Sequence, residues 1–199
     1  MQKKIAKDGI ALDKEYNGLL DCWWKYLLQI AELEKNVKTI IEIALFLFYN
    51  NHHDFTYYKL VKKNATSTQW QQIVNEMLLK LVKSNQWYKP YDTIAKIHFE
   101  EQQLDQLLAT VTAYASFPML EKYEAILSQH FHAQLITLYE RSIRNYLEKN
   151  VDRSYYVVTC KAIVRFKAII PDHNINYLIN EFREKYKRRS ALIELINKI

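Results

Sequence analysis

Glycine, proline and cysteine are all scarce in this chain, whose 199 residues include 2 Gly, 3 Pro and 2 Cys. Typical proteins carry about 7% Gly and 5% Pro. Tight β-hairpins and phosphate-cradling loops need residues that accept positive φ, whereas helices joined by short polar turns need few of them. The shortage predicts an all-α fold. Both glycines, Gly9 and Gly18, lie in the first twenty residues, which excludes a Gly-rich P-loop or Rossmann nucleotide site further along. Cys22 and Cys160 stand far apart among apolar neighbours. They read as small core residues rather than a disulfide framework. With no signal-peptide pattern, the expected compartment is reducing and cytoplasmic. Long hydrophobic runs are missing too. The longest, Ile40 to Tyr49, contains Glu42 and falls short of the roughly 18 apolar residues of a membrane span, so it predicts a buried core helix.

Catalytic and metal-binding constellations are equally absent. His130 and His132 flank a phenylalanine, but no cysteine lies near them to complete a four-ligand zinc set. The adjacent His52 and His53 would point apart. Glu100, Glu101 and Asp105 have no partner motif and read as a solvated helix face, and no Ser or Cys sits in an activating context. The expectation is a protein without catalytic residues, cofactor or metal, and without a small-molecule substrate or a membrane.

What is present is helical periodicity. Apolar residues recur by threes and fours from Leu12 through Tyr16, Leu19, Leu20, Trp23, Leu27 and Ile30, predicting one long helix with Trp23 and Trp24 in its packing. Further helices are predicted over about 36–49 and 54–63. Thr66 with Gln69 makes a capping box for a helix whose stripe is Trp70, Ile73, Val74, Met77, Leu78, Leu81 and Val82. That helix should end by Ser84 and Asn85, with Pro90 preventing resumption until Tyr91. Segments over about 91–99 and 102–114 follow. Ser116 and Pro118 then start a new pair of helices broken at 130–132. Asp152 reads as the N-cap of a helix burying Tyr155, Val158, Ala162, Phe166 and Ile169, stopped by Pro171 and Asp172. Two more close the chain, the last capped by Ser190. About eleven helices result. Starts near Pro118, Asp152 and Ser190 recur at about 35 residues, close to the tetratricopeptide period, although the consensus residues of that repeat are absent. The expectation is a stack of antiparallel helical hairpins, a divergent tetratricopeptide-like α-α superhelix or solenoid, spanning 1–199 as a single domain.

The net charge of +6 is unevenly spread. Residues 141–189 hold 12 Lys and Arg against 5 Asp and Glu, and every arginine of the chain lies there. Candidate anion or nucleic-acid contacts are therefore Arg141, Arg144, Arg153, Lys161, Arg165, Lys187, Arg188 and Arg189. Phosphate contacts require such groups to converge in space.

Several local patterns carry a family resemblance: Trp70 opening a periodic helix; Ile94-Ala95-Lys96-Ile97 with Glu100 or Glu101 and Leu107-Leu108; Leu138-Tyr139-Glu140 with Ile143; Arg153-Ser154-Tyr155-Tyr156; and Tyr186-Lys187-Arg188-Arg189-Ser190-Ala191-Leu192 with Glu194-Leu195. Over about 36–199 the chain resembles the helical C-terminal region of bacterial SWIM zinc-finger proteins. The Cys-x-Cys and Cys-x-His set of that finger is absent here, so no zinc ligand carries over, and a fragment or stand-alone relative is expected. The resemblance implies a non-enzymatic scaffold that binds a protein partner, a Swi/Snf-type helicase-like ATPase being the partner class it suggests. The alternative is nucleic-acid binding through 141–189.

Overall fold

A computed structural model describes residues 2–83, 90–171 and 173–199. Among them are twelve α-helices and no strand, and none of the helices is long and apolar enough to cross a membrane. The chain divides into two compact units, Met1–Lys89 and Pro90–Ile199.

The first unit contains α1 (Gln2–Leu12), α2 (Asn17–Leu33), α3 (Val37–Asn50), α4 (Phe55–Asn64) and α5 (Ser67–Lys83). Consecutive helices from α1 to α4 pack on one another through short turns, as antiparallel neighbours do. The apolar run 40–49 supplies the core, with Ile40, Ile43, Ala44, Leu47 and Phe48 of α3 buried. Tyr58 of α4 meets Phe48 at 6.4 Å and stands edge-on to Trp70 of α5 at 5.0 Å between ring centres. Local chemistry places the starts. Asn36 accepts from the Thr39 amide at 3.2 Å and Asp54 from the Thr56 amide at 2.8 Å. The capping box is reciprocal: the Thr66 amide donates to Gln69 at 3.1 Å and the Gln69 amide to Thr66 at 3.4 Å.

The N-terminal expectation needs correction. Instead of one helix from Leu12, α1 ends there and α2 begins at Asn17, leaving Leu12, Tyr16 and Leu19 exposed. Gly9 explains the join. It is buried in α1, and a Cβ added to it would sit 2.3 Å from the Trp23 ring. The indole N–H of Trp23 donates to Asp13 at 2.7 Å. Here the glycine serves close helix approach rather than a turn. Cys22 is exposed rather than in the core.

The second unit contains α6 (Tyr91–Glu100), α7 (Leu104–Tyr114), α8 (Phe117–His130), α9 (His132–Lys149), α10 (Arg153–Ile169), α11 (Asn176–Lys185) and α12 (Ser190–Ile196). Successive helices from α6 to α10 pack together, and Phe99 of α6 also reaches the Tyr123 ring of α8, 5.6 Å between ring centres. In addition α10 touches both α8 and α12, its next-but-one neighbours. Leu120, Leu127, Leu135, Ile143, Ile163, Phe166, Phe182 and Leu192 are fully buried in one continuous core. Ser116 caps α8 by accepting from the Met119 amide at 3.4 Å. Asp152 occupies the N-cap position of α10 without a side-chain cap bond, and Arg189 rather than Ser190 precedes α12. The expected stops at Ser84-Asn85 and at Asp172 lie outside the described residues.

The turns use positive φ without glycine: Lys35, His52, His53, Gln102 and Ala115 all adopt it. Each non-glycine residue there carries a steric cost of about 1 kcal/mol. Two substitutions of opposite sign follow. Ala115→Gly, at the left-handed end of α7, should raise stability by about 1 kcal/mol. Gly9→Ala should lower it by about 1–3 kcal/mol through overpacking against Trp23. Chemical denaturation reads both, and equal shifts of one sign would contradict the turn and contact assignments.

Candidate functional site

Helix α10 turns one face to the core and the rest of its circumference outward. Its buried face is Tyr156, Thr159, Cys160, Ala162, Ile163 and Phe166, rotated from the expected one: Tyr155 and Val158 are exposed, and Tyr156 is the core tyrosine. The solvent face carries Val157, Lys161, Val164 and Ala168, spaced by four, three and four along one stripe. Val164 is 52% exposed and Val157 37%. With Glu121 of α8 on one side and Leu195, Lys198 and Ile199 at the end of the chain on the other, the stripe floors an open groove of about 710 Å³. Its floor is apolar. Three cations, Lys161, Arg165 and Lys198, and the carboxylate of Glu121 stand around it; Arg165 is paired with Glu124 and Lys198 with Glu194. Cys160 lies at the bottom with its thiol pushed up to about 11 by burial, so at neutral pH it is a protonated thiol and not a nucleophile.

Beneath the groove Arg165 reaches a carboxylate that has almost no solvent contact. Glu124 of α8 is 2% exposed. It accepts from Arg165 Nε at 2.6 Å and from the Tyr139 hydroxyl of α9. Tyr139 in turn stacks on Phe166 of α10, 5.0 Å between ring centres and 6° from parallel. Burial, and then the Glu124 carboxylate, push the Tyr139 phenol well above its ordinary range. The Arg165 guanidinium is shifted upward chiefly by its hydrogen bond to Glu124. One carboxylate thus ties α8, α9 and α10 together.

Most of the other cations predicted from the sequence also have partners on the protein. Arg144 forms a fork on Glu181 with contacts of 2.9–3.2 Å and reaches Glu140 at 3.3 Å. Arg153 pairs with Glu194 at 3.0 Å. Arg189 donates to the carbonyls of Leu147 and Asn150, at 2.8 and 3.4 Å, and lies over the Tyr186 ring. Arg141 reaches the Thr112 carbonyl at 3.2 Å and no carboxylate. Lys161 stands in the α10 groove, while Lys187 and Arg188 are exposed in the turn after α11. The eight candidates do not converge: five serve as ties between helices, and the others are divided between the groove and the turn.

Neither protein-family models, nor curated proteins, nor solved structures yield a match to this chain. Function must therefore be argued from the groove itself. Among the described residues no group of three His, Cys, Asp or Glu side chains is placed to hold a metal ion; His130 and His132 sit exposed at either side of the α8–α9 junction. The valine stripe is what sequence reasoning missed. Its signal was available, since the segment 153–169 carries more apolar positions than one buried face needs.

The ion pair closing α10 on α12 sets a pH response. Glu194 is held down at about 2, first by its hydrogen bond from Arg153 and then by that from Lys198. A carboxylate depressed in the folded state contributes stability above its ordinary value of 4.5, and that contribution is lost as pH falls from 4.5 toward 2. Stability measured across this window should fall more steeply in the wild type than in Glu194→Gln, by a modest amount because the pair is exposed. Parallel curves would show that the pair does not contribute.

Proposed function

We propose that this chain is a non-enzymatic helical scaffold whose α10 groove binds a segment of a protein partner that combines apolar side chains with carboxylates. The carrying observation is the exposed valine stripe of α10, walled by α8 and α12, with Lys161 on the stripe and Arg165 and Lys198 beside it in ion pairs with Glu124 and Glu194. An apolar floor supplies affinity, and Lys161 on the stripe favours a partner that carries carboxylates. The contacts of α10 with α8 and α12 support a divergent tetratricopeptide-like hairpin array, in which alternate helices line one surface. The resemblance to the region following SWIM zinc fingers is compatible with this role. A segment of a Swi/Snf-type helicase-like ATPase is one partner of the required kind.

Nucleic-acid binding by 141–189 is the weaker reading, because Arg144, Arg153 and Arg165 already hold carboxylates.

Two pools of labelled synthetic peptides test the proposal, one alternating Leu or Val with Asp or Glu, the other replacing the acids by Lys. The acidic pool should bind, more weakly as salt rises. Val164→Asp should weaken binding about tenfold or more, as expected for losing a buried valine contact, and Lys161→Glu by a smaller factor. Equal binding of the two pools, or indifference to Val164→Asp, sinks the proposal. A salt-dependent affinity for labelled DNA that exceeds that of the acidic pool would favour the nucleic-acid reading.

A further inference from the structure

A second groove of the same unit differs in chemistry from the α10 groove. It lies between the end of α7 and the outer stripe of α9, encloses about 480 Å³, and has a mostly polar wall. Arg141, Asn145 and Lys149 stand along it at four-residue intervals, and no Asp or Glu lines it. Eight residues of helix separate the two cations by about 12 Å. Each long side chain can therefore lean inward to a shared point beside Asn145, where opposite charge alone would bring them together.

Cations at helix ends have a bland explanation. Arg141 donates to the Thr112 carbonyl near the end of α7 at 3.2 Å, and Lys149 lies in the last turn of α9, both favourable against a helix dipole. Ser142 does not fit that explanation. It lines the same groove, is 5% exposed, and its hydroxyl has no hydrogen-bond partner. A buried hydroxyl is costly to leave unsatisfied, and a turn of the Ser142 side chain toward the groove would let it donate to an acceptor oxygen held there. Arg141, Lys149, Asn145 and Ser142 are all able to donate, so the ligand atoms they would receive are acceptors carrying negative charge. The volume falls in the range of small-molecule sites, and the last carbonyls of α7, at Thr112 and Ala113, border it. Those carbonyls call for hydroxyl donors.

We propose that the α7–α9 groove binds a small organic phosphate bearing hydroxyl groups, with its phosphate received by Arg141, Lys149 and the Ser142 hydroxyl and its hydroxyls turned to the end of α7. This assignment does not depend on the α10 groove.

Titration calorimetry with the whole chain at low salt tests it, using glucose 6-phosphate, inorganic phosphate and glucose as probes. Saturable binding of glucose 6-phosphate is expected, with weaker binding of inorganic phosphate and none of glucose. Arg141→Gln and Ser142→Ala should each weaken the phosphorylated probe, the arginine change by about tenfold, as for the loss of a charged hydrogen bond. Ser142→Ala should leave thermal stability unchanged or raised, because it removes an unsatisfied buried hydroxyl. Absence of saturable binding, equal binding of glucose, or affinity untouched by both variants would overturn the assignment. So would a clear loss of stability in Ser142→Ala, which would make the hydroxyl a structural group.

Discussion

A buried carboxylate sets the terms for the second unit. Glu124 has almost no solvent contact, and a charge in that position is tolerable only with its partners in place. Those partners come from two other helices, Tyr139 on α9 and Arg165 on α10. The three helices must therefore meet at one point with a defined rotation. Phe166, stacked flat on Tyr139, holds the same relation from the apolar side. Arg165 also belongs to the wall of the α10 groove. The interaction that fixes the rotation of α10 is thus the one that turns Val157 and Val164 to solvent.

The remaining ties repeat this logic along the chain. Arg144 reaches Glu181 across 37 residues, Lys185 reaches Glu148 across 37, and Arg153 reaches Glu194 across 41. These spans are close to the interval between successive hairpin starts at Phe117, Arg153 and Ser190. Exposed pairs of this kind each contribute little to stability. Their geometric role is larger, because each links helices of the second unit that lie far apart in sequence.

Periodicity made most helices of the second unit legible before any coordinates, since Leu135, Tyr139, Ile143 and Leu147 can share a face only on a helix. The capping box of Thr66 and Gln69 placed the start of α5. The first helix was hidden because Leu12 and Tyr16 continue the spacing of α2 by coincidence. Rotation of α10 was misread because apolar residues occupy most of its circumference, so that Tyr155 and Tyr156 were interchangeable by pattern. The pairing of the basic interval was hidden for a different reason. Glu121, Glu124, Glu140 and Glu194, which neutralise its arginines, all lie outside 141–189 in sequence and beside it in space. A window of sequence counts charge; only the fold pairs it.

The central claim is that the Glu124–Arg165 contact holds α8 and α10 in their observed rotation. A double-mutant cycle in equilibrium unfolding, with Glu124→Gln, Arg165→Met and the pair together, measures it directly. The expected coupling is about 1–2 kcal/mol, reduced from that of a fully buried pair because Arg165 is half exposed. A coupling of zero, with each single variant as stable as the wild type, would contradict the account.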